Sequence, residues 1–183
     1  MRIAVVSADL KKRKAVAEEI SQEYRLPIIA EQDDVFRKKN PEKIEAPEMI
    51  LKTILERQIK KQILCRDGFV SSGSTLDYVA LYKTFIDLKD KEKANIPDLI
   101  KARMHAWRHL DKIIYLPLTQ NRNKFYIRYD SYLKAKLELI RENGCVQIIA
   151  LEDRSQLPLL FPKGVGVNGA AAICGKERDL ETV

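Results

Sequence analysis

The chain of 183 residues is poor in the residues that usually announce a chemistry. It has three cysteines, Cys65, Cys145 and Cys174, far apart and without a CxxC pair. It has two histidines, His105 and His109. Together these argue against a zinc site and against a disulfide framework, and they suit a reducing, cytoplasmic setting. His105 and His109 share a helical face, but two ligands alone make a poor metal site, so a solvated or partly packed helix is expected. No apolar run approaches the roughly 18 residues of a membrane span. The first residues carry one basic side chain and a short apolar run, which does not read as a signal peptide. Glycine is scarce, and none lies between Val6 and Ala15.

Charge is plentiful. The composition is 45% hydrophobic and 32% charged, as in a globular domain, and the net charge is +7. Such a balance favours contact with polyanions: nucleic acid, phosphorylated ligands or an acidic protein. The lysines spread along the whole chain, so a merely solvated surface fits equally well.

A continuous apolar run marks a strand buried on both faces at residues 3–6, and further strands are read at 26–30, 68–72, 112–117 and 145–151. Periodic segments between them mark helices at 11–24, 47–63, 75–88, 96–110 and 132–142. Val16, Ile20 and Tyr24 form one stripe of the first helix. Ile50, Ile54, Ile59 and Ile63 are placed near one face of the second, with Pro47 in its first turn. Leu76, Val79, Ala80 and Ile86 carry the third helix. Ile96, Ile100, Met104 and Trp107 carry the fourth, and Leu133, Leu137 and Ile140 the fifth. Residues 32–47 read as a polar surface connection, 90–95 as a break, and 118–130 as a polar and aromatic stretch without periodicity.

Alternation of five strands with helices predicts an α/β fold with a five-stranded parallel sheet and helices on both faces. Residues 1–151 form the core on this reading. Residues 152–183 form a C-terminal segment, flexible or docked on a partner. Ligands of such sheets bind at the carboxyl ends of the strands, here the turns after Val6, Val70 and Leu116.

Those turns, and the helix sequence "AVAEEI" at residues 15–20, give a resemblance. The layout is similar to P-loop nucleoside and nucleotide kinases, in particular to small ribosylnicotinamide-kinase-type domains. In that family the first strand enters a GxxxxGK[ST] loop, the Walker A motif. A second match spans "ILERQIKKQILCRDGFVSSGSTLDYVALY", residues 54–82, with Gln58–Ile59, Leu76–Asp77, Ala80 and Tyr82. "DKIIYLPL" (111–118) resembles the strand before the family's lid. "IRYDSYLKAKLELI" (127–140) resembles the lid arginine, here Arg128, and the helix after it. The resemblance implies a three-layer P-loop kinase fold over residues 1–151.

The same alignment exposes departures. "SADLKKRK" falls on the phosphate loop, with Ser7 and Lys12 at the two glycine positions. Arg13 takes the lysine position and Lys14 that of the magnesium hydroxyl. A register one residue away brings Lys11 or Lys12 to the lysine position but restores no glycine. Glycines let successive N–H groups turn inward onto phosphate, and a lysine cannot ligand magnesium. The family's Asp-Arg pair falls on Ser72 and Gly73, which lack charge and basicity.

Two sites degraded together imply a catalytically degenerate kinase-like protein, acting as a binding or structural subunit. Ser7, Lys11, Lys12, Arg13, Lys14 and Arg128 are its candidate nucleotide- or anion-binding residues, and no metal ligand is assigned. Cations at a helix start are unfavourable unless something negative binds, although Asp9 opposes them or caps the helix. An alternative is an active nucleoside or nucleotide kinase with an unconventional loop. It would use ATP and Mg2+, with Asp77 as catalytic residue and Asp77 or Asp9 on the metal. A second alternative is a nucleic-acid binder. In "RNKFYIRYD" Phe125, Tyr126 or Tyr129 would stack bases, and Arg122, Lys124 or Arg128 would hold phosphates, unless a lid helix packs the aromatics inward. The terminal "ETV" resembles a peptide captured by PDZ domains, a match too short to weigh. A protein partner or nucleic acid on the basic surface, and no membrane, is the expected setting.

Overall fold

A computed structural model describes residues 1–30, 44, 47–88, 96–119, 123–142, 144 and 146–160. The strands are β1 (Arg2–Val6), β2 (Ile28–Ile29), β3 (Phe69–Ser72), β4 (Lys112–Tyr115) and β5 (Gln147–Ala150). The helices are α1 (Leu10–Tyr24), α2 (Pro47–Leu64), α3 (Thr75–Leu88), α4 (Ile96–His109) and α5 (Lys124–Glu142). A 3-10 turn (Arg154–Gln156) and a short α6 (Leu157–Leu160) follow β5. The expected connections at 32–43 and 90–95, and the tail at 161–183, lie outside the described residues.

The sheet order is β2-β3-β1-β4-β5, and every neighbouring pair is parallel. β1 sits in the middle, with Ala4 opposite Ser71 on one side and Ile113 on the other. Its side chains alternate between two cores, as a strand buried on both faces requires. Ile3 and Val5 pack with Val16, Ala17 and Ile20 of α1, and with Leu151 and Leu157. Ala4 and Val6 face the larger cluster, built with α2, α3, α4 and α5. Arg154 pairs with Glu19 at 2.5 Å, so residues beyond 151 also lie against α1.

α3 is the centre of the larger layer. Every residue from Thr75 to Tyr82 is buried, and α3 contacts α2, α4 and α5. α4 approaches closely because its inward face carries Ala102 and Ala106; the Thr75 hydroxyl donates to the Ala102 carbonyl at 2.7 Å.

Three expectations change. On α4 the inward residues are Leu99, Ala102, His105 and Ala106, whereas Ile100 is 46% exposed. Of the expected stripe, Met104 and Trp107 are half-buried and Trp107 packs against the larger cluster, while the small Ala102 and Ala106 take the face next to α3. On α2 the buried stripe is Leu51, Leu55, Gln58 and Gln62. At 100° per residue Ile50 and Ile54 flank one side of it and Ile59 and Ile63 the other, so the isoleucines do not share a face. α5 begins at Lys124, eight residues before the expected start at 132, and buries Phe125 and Tyr129 in line with Leu133, Leu137 and Ile140.

Candidate functional site

The carboxyl ends of β1, β3 and β4 lie together on one edge of the sheet, where the ligand turns are expected. Three residues, Ser7, Ala8 and Asp9, separate β1 from α1. Asp9 is the N-cap, and its carboxylate accepts the Lys12 backbone N–H at 3.0 Å. The Ser7 hydroxyl donates to the Leu116 carbonyl at 2.8 Å and accepts the Asp9 N–H at 3.0 Å. The turn is thus closed by its own side chains. Replacing Asp9 by alanine removes the cap and is expected to cost about 1 kcal/mol, measured by urea unfolding.

Arg13 is the largest fully buried side chain, with 1% of its surface exposed. Its Nη1 lies 3.0 Å from Asp77 Oδ1, 3.4 Å from the Ser7 carbonyl and 3.4 Å from the Tyr129 hydroxyl. The Tyr129 hydroxyl donates to the same Asp77 oxygen. Asp77 Oδ2 accepts the Ser74 N–H at 2.6 Å, while the Ser74 hydroxyl accepts the Leu76 N–H at 3.0 Å. This reciprocal pair resembles a capping box at the start of α3. Gly73, in the left-handed region at φ 112°, turns the chain from β3 into that cap and donates to the Val5 carbonyl at 2.8 Å.

The network is buried and shared. Burial pushes the Asp77 carboxyl up, against the opposing pull of the Arg13 guanidinium, the Tyr129 hydroxyl and the Ser74 donors. Burial and the Asp77 charge push the Tyr129 hydroxyl well up, so it keeps its proton and acts as donor. Chemically, the three side chains form a buried ion pair with a phenol clamp, in which Arg13 Nε makes no hydrogen bond among the described residues.

The remaining candidates are dispersed. Lys11 and Lys14 are exposed and Lys12 is half-buried on α1; Lys14 lies 3.7 Å from Glu18, one turn on. Arg128 is exposed on α5, beside Tyr132 and Asp87. Arg122 lies outside the described residues. Phe125 and Tyr129 are buried, so neither is open to stack on a base; the lid-helix reading of this stretch is the one its packing matches.

A second buried polar network was not foreseen. Gln58 Nε2 donates to the Ser71 hydroxyl at 2.5 Å and Gln62 Nε2 to the same oxygen at 3.4 Å. Gln62 Oε1 lies 2.8 Å from His105 Nε2, which fits the neutral tautomer with its proton on that nitrogen. Glutamines four apart on the inward stripe of α2 were the available signal. Among the described residues no group of three or more metal-ligating side chains is assembled.

Burial, together with the nearby charges of His109, Arg2 and Lys101, pulls His105 down to about 4. In the unfolded chain it titrates near its ordinary value of about 6.5. Below that pH the unfolded state takes up a proton that the folded state refuses. Stability is therefore expected to fall as pH drops from about 6.5 to about 4, by about 2–3 kcal/mol from this group. Urea unfolding of wild type and His105→Gln across that range measures it; parallel curves would contradict it.

The parallel β2-β3-β1-β4-β5 sheet, with a helix leaving the end of β1 and helices on both faces, is a P-loop kinase-like fold. A solved structure of deoxyadenosine kinase from M. mycoides, with the products dCMP and a flexible dCDP bound, is similar to this chain. The TM-score is 0.63 and the identity 15%, over 87% of this chain and 96% of that one. That likeness is one of fold. No protein-family model and no curated protein matches the sequence. No helix among the described residues is long and apolar enough to cross a membrane.

Proposed function

We propose that this chain is a kinase-like protein that has lost phosphoryl transfer and works as a binding or structural subunit for an anionic partner. One observation carries the reading: Arg13, at the position of the phosphate-loop lysine in the resemblance, is 1% exposed and spends its charge on Asp77. A cation held this way is not offered to a triphosphate. The surrounding residues fit a magnesium–triphosphate group no better. A phosphate loop needs several backbone N–H groups pointing at the ligand. Here three residues join β1 to α1, and Asp9 and Ser7 take the Lys12 and Asp9 N–H groups. A carboxylate at that helix start also repels phosphate. No catalytic step is therefore assigned through ATP.

The test is turnover. Purified protein is incubated with MgATP and a nucleoside panel that includes deoxyadenosine and deoxycytidine, since the similar structure is a deoxyadenosine kinase holding cytidine products. The expected result is no phosphorylated product, and no heat of ATP binding that depends on magnesium. Turnover that disappears on changing Lys11, Lys12 or Asp77 would establish the active-kinase alternative instead.

A further inference from the structure

Three surface cations are held in ion pairs. Arg2 lies 2.8 Å from Asp111, Lys14 3.7 Å from Glu18, and Arg154 2.5 Å from Glu19. On the outer side of α3, α4 and α5, three cations lie near one another. The charges of Lys83 of α3 and Arg103 of α4 both act on Lys136 of α5. Among the described residues none of the three forms an ion pair. The Lys83 ammonium stands 5.8 Å from the centre of the Tyr132 ring. Tyr132 also lines a recess of about 500 Å³ with Asp87, Arg128 and Ser131. Arg128, Tyr132 and Lys136 follow at intervals of four along α5, so one helical face presents all three. Asp87 is the carboxylate among the described lining residues, and it already accepts the Tyr132 hydroxyl.

We propose that this recess, with Arg128 in its lining, Lys83 beside its Tyr132 wall and Lys136 one turn further along α5, binds the phosphate groups of a ligand. The site shares no residue with the Arg13–Asp77–Tyr129 network. Among the described residues, Arg128 lines the recess with one carboxylate, Asp87, which Tyr132 already engages, and Lys83 stands over the Tyr132 ring. Like charges brought together cost stability until an anion joins them. Burial and the charges of Lys83 and Arg103 pull the half-buried Lys136 down, the mark of a cation lacking compensation. The recess is of small-ligand size. A planar guanidinium and compact ammonium groups meeting from different directions suit a tetrahedral oxyanion better than a carboxylate on a flexible stem. The phosphate comes either from a free phosphate compound or from a nucleic-acid backbone. The inference rests on the reading of the chain as an anion-binding subunit.

The test uses the full chain and three probes: inorganic pyrophosphate, a single-stranded oligothymidylate, and polyglutamate of matched charge. Trp107, the sole tryptophan, lies one turn along α4 from Arg103 and reports binding by fluorescence; calorimetry repeats the titration. The expected result is binding of at least one phosphate probe at low salt, weakening steeply as salt rises. Lys83→Met with Lys136→Met is expected to weaken it by about tenfold or more, equivalent to about 1.4 kcal/mol. Lys14→Met, on α1, should leave it unchanged. Without ligand the double variant should melt above wild type, because repulsion is relieved, which separates lost binding from lost folding. Pyrophosphate binding alone identifies a small phosphate ligand, and oligothymidylate binding alone a nucleic-acid strand. Preference for polyglutamate, binding indifferent to the double variant, or no phosphate binding at low salt overturns the proposal. MgATP turnover would sink the inactive reading and leave this site standing; failure here would leave inactivity standing.

Discussion

Replacing Arg13 by methionine is expected to destabilise the fold by about 3–5 kcal/mol, because Asp77 is left as an unpaired charge in the interior. Both side chains are 1% exposed, so water does not screen the loss. The partner replacement distinguishes a lost contact from a stranded charge. In Arg13→Met with Asp77→Asn the amide oxygen still accepts from Ser74 and the amide nitrogen donates to Tyr129, the two other partners that Asp77 has. The double variant should therefore lie within about 2 kcal/mol of wild type, with a coupling energy of the kind found between directly contacting residues. Urea unfolding of the four proteins measures the cycle. An Arg13→Met protein as stable as wild type would mean that the guanidinium contributes little to the core, and would reopen a role at a ligand.

That cycle also bears on function. A phosphate-binding cation has to be held in place yet remain open to its ligand. Its removal from such a site normally spares the fold. A large loss of stability from Arg13→Met would instead make the ion pair part of the framework joining α1, α3 and α5. In that arrangement the carboxyl ends of β1, β3 and β4 are tied together from within, by Ser7 to Leu116 and Gly73 to Val5 as well as by Arg13 to Asp77. The fold is kinase-like, and on the reading proposed above these side chains stand where the phosphate loop would hold its ligand.

The strands were legible because a central parallel strand is apolar throughout, and Ile3 to Val6 could be little else. Most helices were legible from period alone. α5 was half legible: Phe125, Tyr129 and Leu133 do repeat every four residues, but interleaved arginines and lysines hid the stripe. The face of α4 was misjudged because large apolar residues draw attention, whereas Ala102 and Ala106 set the closest packing. In the candidate site, the run "KKRK" reads as four anion-binding candidates at one helix start. Helical geometry separates them: Arg13 shares the inward stripe with Val16, Ala17 and Ile20, and Lys11 and Lys14 do not. What no spacing revealed was its partner, since Asp77 is 64 residues away and Tyr129 116. Pairings of that kind are set by topology. The buried glutamines followed the same rule, as Gln62 meets His105 only once α2 and α4 lie side by side.

Gly68→Ala is expected to cost about 3 kcal/mol or more, and Gly144→Ala about 1 kcal/mol, although both glycines have positive φ. The difference lies in what surrounds them. Gly68, at φ 119°, precedes β3, and a Cβ there would sit 2.5 Å from the Met1 carbonyl oxygen and 2.9 Å from its nitrogen. Those are backbone atoms, and the Met1 carbonyl accepts the Phe69 N–H at 3.1 Å. Moving them aside loosens the start of the β1–β3 pairing, where Arg2 is opposite Phe69. Gly144, at φ 69°, has nothing within 4 Å of such a Cβ, so only the backbone preference is lost. Because β3 leads into Gly73 and the Ser74–Asp77 cap, displacement at Gly68 should also weaken the Arg13 network, and Arg13→Met should then cost less in the Gly68→Ala background than in wild type. Equal stabilities of the two alanine variants would contradict the close approach at Met1. Full additivity of Gly68→Ala with Arg13→Met would contradict the link from that approach to the carboxyl end of β3.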